Sequence, residues 1–69
     1  MIHFGKCLQH WQKEKNVTSA QLARDLGVHR QQIYIWRNKK NVRLNSYFRI
    51  CNALSVPIEN FLLDEYTID

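Results

Sequence analysis

The tightest constraint on this chain lies in residues 19–38, SAQLARDLGVHRQQIYIWRN. Leu22, Ala23 and Leu26 recur on one helix face, and Gly27 follows them directly, where a left-handed residue ends a helix. Two short helices can cross closely only if a small side chain lies at their contact, and Ala23 is that side chain. Leu22, Leu26 and Val28 fill the angle between the helices. Ile33 and Trp36 then face back toward the first helix, which leaves Arg30, Gln31, Tyr34 and Ile35 pointing away. Small, glycine and apolar residues together occupy the places that a helix-turn-helix requires.

The flanking sequence reads as further helix. Phe4, Leu8 and Trp11 form an i, i+4, i+7 stripe, which predicts a first helix over about residues 2–15 with Asn16 as its stop. Val17 packs back, and Thr18 is a good N-cap for the second helix. The third helix starts after His29, and a polar loop, Asn38–Arg43, follows it. Leu44, Tyr47, Phe48, Cys51 and Leu54 predict a fourth helix over about 44–54, with those five residues turned inward. Pro57 suits the first position of a short fifth helix ending near Leu63, because its missing N–H would be unpaired there. Residues 1–63 therefore read as one domain, and 64–69 as a short acidic tail.

Sixty-nine residues make one small domain, burying roughly 60% of the surface that the unfolded chain exposes. A hydrophobic share of 45% argues against general disorder. The longest apolar run is four residues, Ile33–Trp36, too short to span a membrane. The N-terminus has no signal-peptide core, so a cytoplasmic location is expected. Cys7 and Cys51 lack metal-ligand spacing and read as free thiols. Charge is divided along the chain. Residues 1–49 hold all ten Lys and Arg against two acids, whereas residues 50–69 hold four acids and no base. A basic half that carries a groove-sized helix favours a nucleic-acid partner.

The order of elements and the phrases QLARDLGV and RICNALSVPIENFL resemble the Cro and lambda-repressor (XRE) family over about residues 4–62. That resemblance implies an all-α, compact five-helix, lambda-repressor-like DNA-binding domain, with its third helix in the major groove. It also implies a homodimer, formed in solution or only on DNA. The small size looks most like a phage Cro-type repressor, in a bacterial cell. Carried over by position, Arg30, Gln31, Gln32, Tyr34 and Ile35 are expected to read base edges. Arg on guanine and Gln on adenine are the favoured pairings, and Ile35 suits a thymine methyl. Thr18, Ser19, His29, Arg37, Asn38, Lys39, Lys40 and Arg43 are expected at the phosphate backbone. The chain departs from the family at several places. Ser19 stands for a longer Gln, His29 for a capping Ser or Thr, and Arg43 for a capping Ser. Lys39 replaces a helix-ending Gly, so that Asn38 or Asn41 would take the left-handed turn or the helix would run on. Gln12 and Arg37 stand where some members pair Arg with Glu, which leaves Arg37 for phosphate.

Other chemistries find little support. His3, Cys7, His10 and Glu14 share a flank of the first helix, but ligands from one straight helix rarely converge on a metal. That flank reads as surface, and Cys51 as core. Trp11 and Trp36 fit core positions. No catalytic set or phosphate loop is present, so the chain is not expected to be an enzyme, and no cofactor, metal or small-molecule substrate is expected. Ile58, Phe61, Leu62, Leu63, Tyr66 and Ile68 exceed what a short last helix can bury, and are expected at a two-fold dimer contact, with an exchanged strand or a frayed tail both open. The resulting expectation is a dimeric repressor that occludes promoter DNA at a pseudo-palindromic operator. A restriction-modification controller, an antitoxin-type autoregulator and an activator are alternatives within DNA binding. A protein-interaction module is the alternative outside it.

Overall fold

The computed structural model describes residues 1–68. Its helices run in the order α1 (Phe4–Glu14), α2 (Ser19–Leu26), α3 (Arg30–Arg37), α4 (Leu44–Leu54) and α5 (Ile58–Phe61), and a 3₁₀ turn follows at Asp64–Tyr66. Most boundaries have a local cause. α1 starts at Phe4 because His3 caps it, Nδ1 accepting the Lys6 amide at 3.1 Å. Ile2 is outside the helix, paired in an isolated antiparallel bridge with Thr67. Asn16 then turns left-handed, with φ 55°, after α1 has ended. α1 is thus shorter at both ends than the expected 2–15.

α2 opens with a complete capping box. The Gln21 amide donates to Thr18 Oγ1 at 3.1 Å, and the Thr18 amide donates to Gln21 Oε1 at 2.8 Å. Reciprocal bonds of this kind satisfy two otherwise orphaned amides. Gly27 closes α2 at φ 67°, and the Val28 amide reaches back to the Ala23 carbonyl at 3.0 Å. Pro57 differs from expectation. With ψ 140° it caps α5 from outside, and α5 ends at Phe61 after a single turn.

The core joins Phe4, Cys7 and Leu8 of α1 to Leu22, Ala23 and Leu26 of α2, Ile33 and Trp36 of α3, and Ile50, Cys51 and Leu54 of α4, with Val56 and Phe61 closing it. Two expected inward residues of α4 are corrected. Leu44 is 63% exposed and Phe48 lies on the flank, because α4 turns Ile50 inward beside Tyr47, Cys51 and Leu54. Cys7 is also corrected, from surface to fully buried. The reason is the return of the chain after α5. The Leu63 amide donates to Cys7 Sγ at 3.4 Å, and Trp11 Nε1 donates to the Phe61 carbonyl at 2.8 Å. The His3 amide donates to the Tyr66 carbonyl at 2.9 Å, and the Ile68 amide to that of Met1 at 2.7 Å. Residues 64–68 are therefore folded onto the chain's own N-terminal segment; Asp69 lies outside the described residues.

The start of α1 meets the end of α3 backbone to backbone. The Phe4 and Gly5 amides donate to the Lys40 and Lys39 carbonyls, each at 2.9 Å. A Cβ on Gly5 would stand 2.8 Å from the Trp36 carbonyl oxygen and closer still to that of Arg37. Gly27, by contrast, has open space around it and is required only for its positive φ. Gly5→Ala should therefore destabilise the fold by about 2 kcal/mol or more, against about 1 kcal/mol for Gly27→Ala. Thermal melting of both variants checks the order, and equal or reversed losses would refute the close-contact argument.

Candidate nucleic-acid interface

The angle between α2 and α3 follows from Ala23, only 4% exposed at the crossing, and from the Gly27 turn. Ile33 and Trp36 pin one side of α3 into the core. On the other side Arg30, Gln31, Tyr34 and Ile35 are exposed, as their spacing predicts. Tyr34 is 49% and Ile35 45% exposed, a large apolar area to leave in water on so short a helix. Gln32 is partly buried and stands off this strip. His29 precedes α3 without a side-chain capping bond, so its start keeps amides open to an anion.

Two open depressions meet at Tyr34. One, of about 800 Å³, lies between α2 and α3 beside Arg30 and Gln31. The other, of about 580 Å³, runs between α1, the start of α2 and α3, and is lined by Thr18, Ser19 and Arg37. The structure thus brings expected base-reading and phosphate-contacting residues onto adjoining surfaces. Lys13 and Asn16 also line the second depression, although their sequence context gave no hint of it.

The basic loop after α3 is held by its backbone. The Lys39 and Lys40 carbonyls receive the amides of α1, and both side chains are exposed. Asn38 ends α3 at φ −108°, and its side-chain Nδ2 donates to the Tyr34 carbonyl at 2.9 Å. Neither Asn38 nor Asn41 takes a left-handed turn, and α3 does not run on past Arg37. Arg43 stands before α4 with no capping bond from its side chain. Arg37 is not free, as the sequence suggested. Its Nη1 donates to Gln12 Oε1 at 2.5 Å, so the two places that hold an Arg–Glu ion pair in some family members are joined here by a hydrogen bond, with the cation now on α3 and a neutral amide on α1.

Other polar groups have structural partners. Arg49 donates to the Leu26 carbonyl and closes the end of α2, a role that sequence reading missed because the partner is backbone. His10 Nδ1 and the Tyr66 hydroxyl lie 3.3 Å apart. Among the described residues, no three of His, Cys, Asp and Glu gather as metal ligands would. Of the expected dimer residues, Phe61 is corrected: it is fully buried in its own core, stacked on Phe4 with ring centroids 5.1 Å apart. Leu63, Tyr66 and Ile68 are partly buried against their own chain, whereas Ile58 and Leu62 remain about two-fifths exposed, at 41% and 40%.

A chain that hides one side of its second motif helix and leaves the other to solvent has the architecture of a helix-turn-helix DNA-binding protein. It belongs to the Cro/C1-type HTH DNA-binding domain family, whose model matches residues 8–65. It is accordingly a double-stranded-DNA-binding regulator of transcription. Comparison with curated proteins returns no match. Among the described residues, no helix is long and apolar enough to cross a membrane.

Both thiols are set apart from this surface. Burial pushes the Cys51 pKa from 9.0 up to about 11. Burial also raises that of Cys7, with the Leu63 amide opposing. A raised folded-state pKa keeps the proton where the unfolded chain has lost it. This contribution to stability is therefore full below about pH 9 and falls as pH climbs toward 11. A disulfide reagent at pH 8 should label neither thiol until the chain unfolds, and the melting temperature should decline above about pH 9. Rapid labelling of the native protein would contradict this placement.

Proposed function

We propose that this regulator is a sequence-specific repressor of the Cro type, acting in the cytoplasm of a bacterial cell as a pair of copies on one operator. The observation that carries the reading is the adjacency, at Tyr34, of the exposed strip of α3 and the depression holding Ser19 and Arg37. A recognition helix needs both parts: side chains for base edges, and polar groups beside it that grip the backbone and hold its register. Arg30, Gln31, Tyr34 and Ile35 read bases in this proposal. Ser19, Arg37, Lys39, Lys40 and Arg43 contact phosphates, with Thr18, His29 and Asn38 lining the approach.

Substitution separates these two roles. Lys40→Ala should weaken binding to all duplexes alike and make the salt dependence of log K shallower by roughly 0.9. Gln31→Ala should relax preference at one or two base positions, each worth about 1–3 kcal/mol. Binding titrations at several salt concentrations, with single-base variants of a selected duplex, distinguish them. Equal scaling on every sequence by both variants would remove the base-reading role.

The second copy is assigned to the flank of α4 and α5. The Tyr47 hydroxyl donates to the Ile58 carbonyl at 2.6 Å, and the Tyr47 ring stacks on Phe48 at 6.1 Å between centroids. Tyr47 and Leu62 also line a common small cleft. Phe48, Ile58 and Leu62 thus surround one ring and remain exposed, at 37%, 41% and 40%. An isologous contact there supports two recognition helices about 34–36 Å apart on a pseudo-palindromic site. Leu62→Glu should leave folding intact and abolish cooperative loading of the second half-site in a gel-shift titration. Binding of a lone wild-type copy at a saturated full site would overturn the paired arrangement.

A further inference from the structure

We propose that Gln12 is a positioning residue for DNA binding, aiming the Arg37 guanidinium and the Ser19 hydroxyl at one backbone phosphate without neutralising the guanidinium. The inference rests on the reading of α3 and its neighbouring depression as the DNA-facing surface. Gln12 is 5% exposed, the polar residue among the buried side chains. Its amide is fully engaged. Oε1 accepts from Arg37 Nη1 at 2.5 Å, while Nε2 donates to Ser19 Oγ at 3.2 Å and to the Val17 carbonyl at 3.4 Å. One side chain of α1 thereby ties the end of α3 to the first residue of α2. The α3 end is tied a second time, by Gln9 Nε2 donating to the Arg37 carbonyl at 2.9 Å.

These bonds leave the outward chemistry intact. Arg37 gives one of its five donors to Gln12 and keeps four. Ser19 Oγ accepts from Gln12, so its own proton is left to donate outward. Both residues line the same open depression, with Lys13 beside them. Two donors and a second cation around one hollow suit an anion with several acceptor oxygens, such as a phosphodiester of the duplex. The neutrality of Gln12 is the decisive chemistry. A carboxylate at this place would hold the guanidinium as an ion pair and cancel its charge. An amide holds it by hydrogen bonding alone, so the attraction to phosphate survives.

The test uses the full chain and a duplex selected by the wild-type protein from a random pool, with affinity measured by fluorescence anisotropy at several salt concentrations. Melting curves run in parallel. Arg37→Met should weaken binding about tenfold and make the salt dependence shallower by roughly 0.9. Gln12→Met, similar in length and without any of the three hydrogen bonds, should lose a large part of the same affinity, and should add nothing in the Arg37→Met background. Gln12→Glu keeps an acceptor for Arg37 but sets its second oxygen against the Val17 carbonyl, so it should melt somewhat below wild type and, measured on folded protein, bind DNA more weakly and with a shallower salt dependence. A merely structural glutamine would give variants whose affinity, once folded, equals wild type, and that result would overturn the proposal. If Gln12→Met fails to fold, the Gln12→Glu arm decides, and wild-type or tighter binding by it refutes the assignment. A wild-type chain that binds every duplex without salt dependence would remove the underlying DNA-facing reading, a failure visible before any variant is made.

Discussion

The structure depends on a backbone junction: the first amides of α1 seated on the Lys39 and Lys40 carbonyls, with Gly5 against the carbonyls that end α3. No side chain intervenes, so the distance between the two helix ends is set by main-chain contact. The positive end of the α1 dipole also meets carbonyls just past the negative end of α3, which is a favourable alignment. α3 is consequently held twice, by α2 through the Ala23 crossing and by α1 through this junction. Its solvent-facing strip is what remains after both contacts are made.

What the sequence discloses follows from how local each constraint is. The α2–α3 angle was legible because Ala23, Gly27, Ile33 and Trp36 each satisfy a rule within a few residues. The inner face of α4 was misread for a related reason. Leu44 and Phe48 are apolar at helical spacing, and only packing against the other helices selects Ile50 over them. The docking of residues 62–68 was invisible, since most of its bonds join backbone amides to carbonyls, and its side-chain partners, Cys7 and His10, lie more than fifty residues away in sequence. Gly5 carried no signal either, as its reason lies in a distant carbonyl. At the interface, the exposed strip of α3 emerged from periodicity, whereas the Gln12–Arg37 bond needed coordinates. The sequence showed that a charge pair was missing, but not that an amide had taken over its geometry.

Net charge is also a coarse guide to which cations are free on the surface. Arg49 uses its guanidinium on the Leu26 carbonyl, and Lys15 reaches the Ser55 carbonyl at 3.4 Å. These two cations serve helix ends, where a positive group complements the partial negative charge of unpaired carbonyls. In the proposed arrangement the field at the duplex comes instead from residues held by backbone or by neutral partners: Lys39, Lys40 and Arg37.

The bridge between Ile2 and Thr67, with the Ile68 amide on the Met1 carbonyl, brings the first and last described residues side by side. A chain bonded in this way is mechanically a closed ring. Tension applied at its two ends loads those few main-chain bonds before it reaches any helix, so rupture begins there and the α2–α3 corner is among the last parts to feel the load. The same closure places any appended segment at either end beside the other, on the part of the surface where the two terminal segments meet.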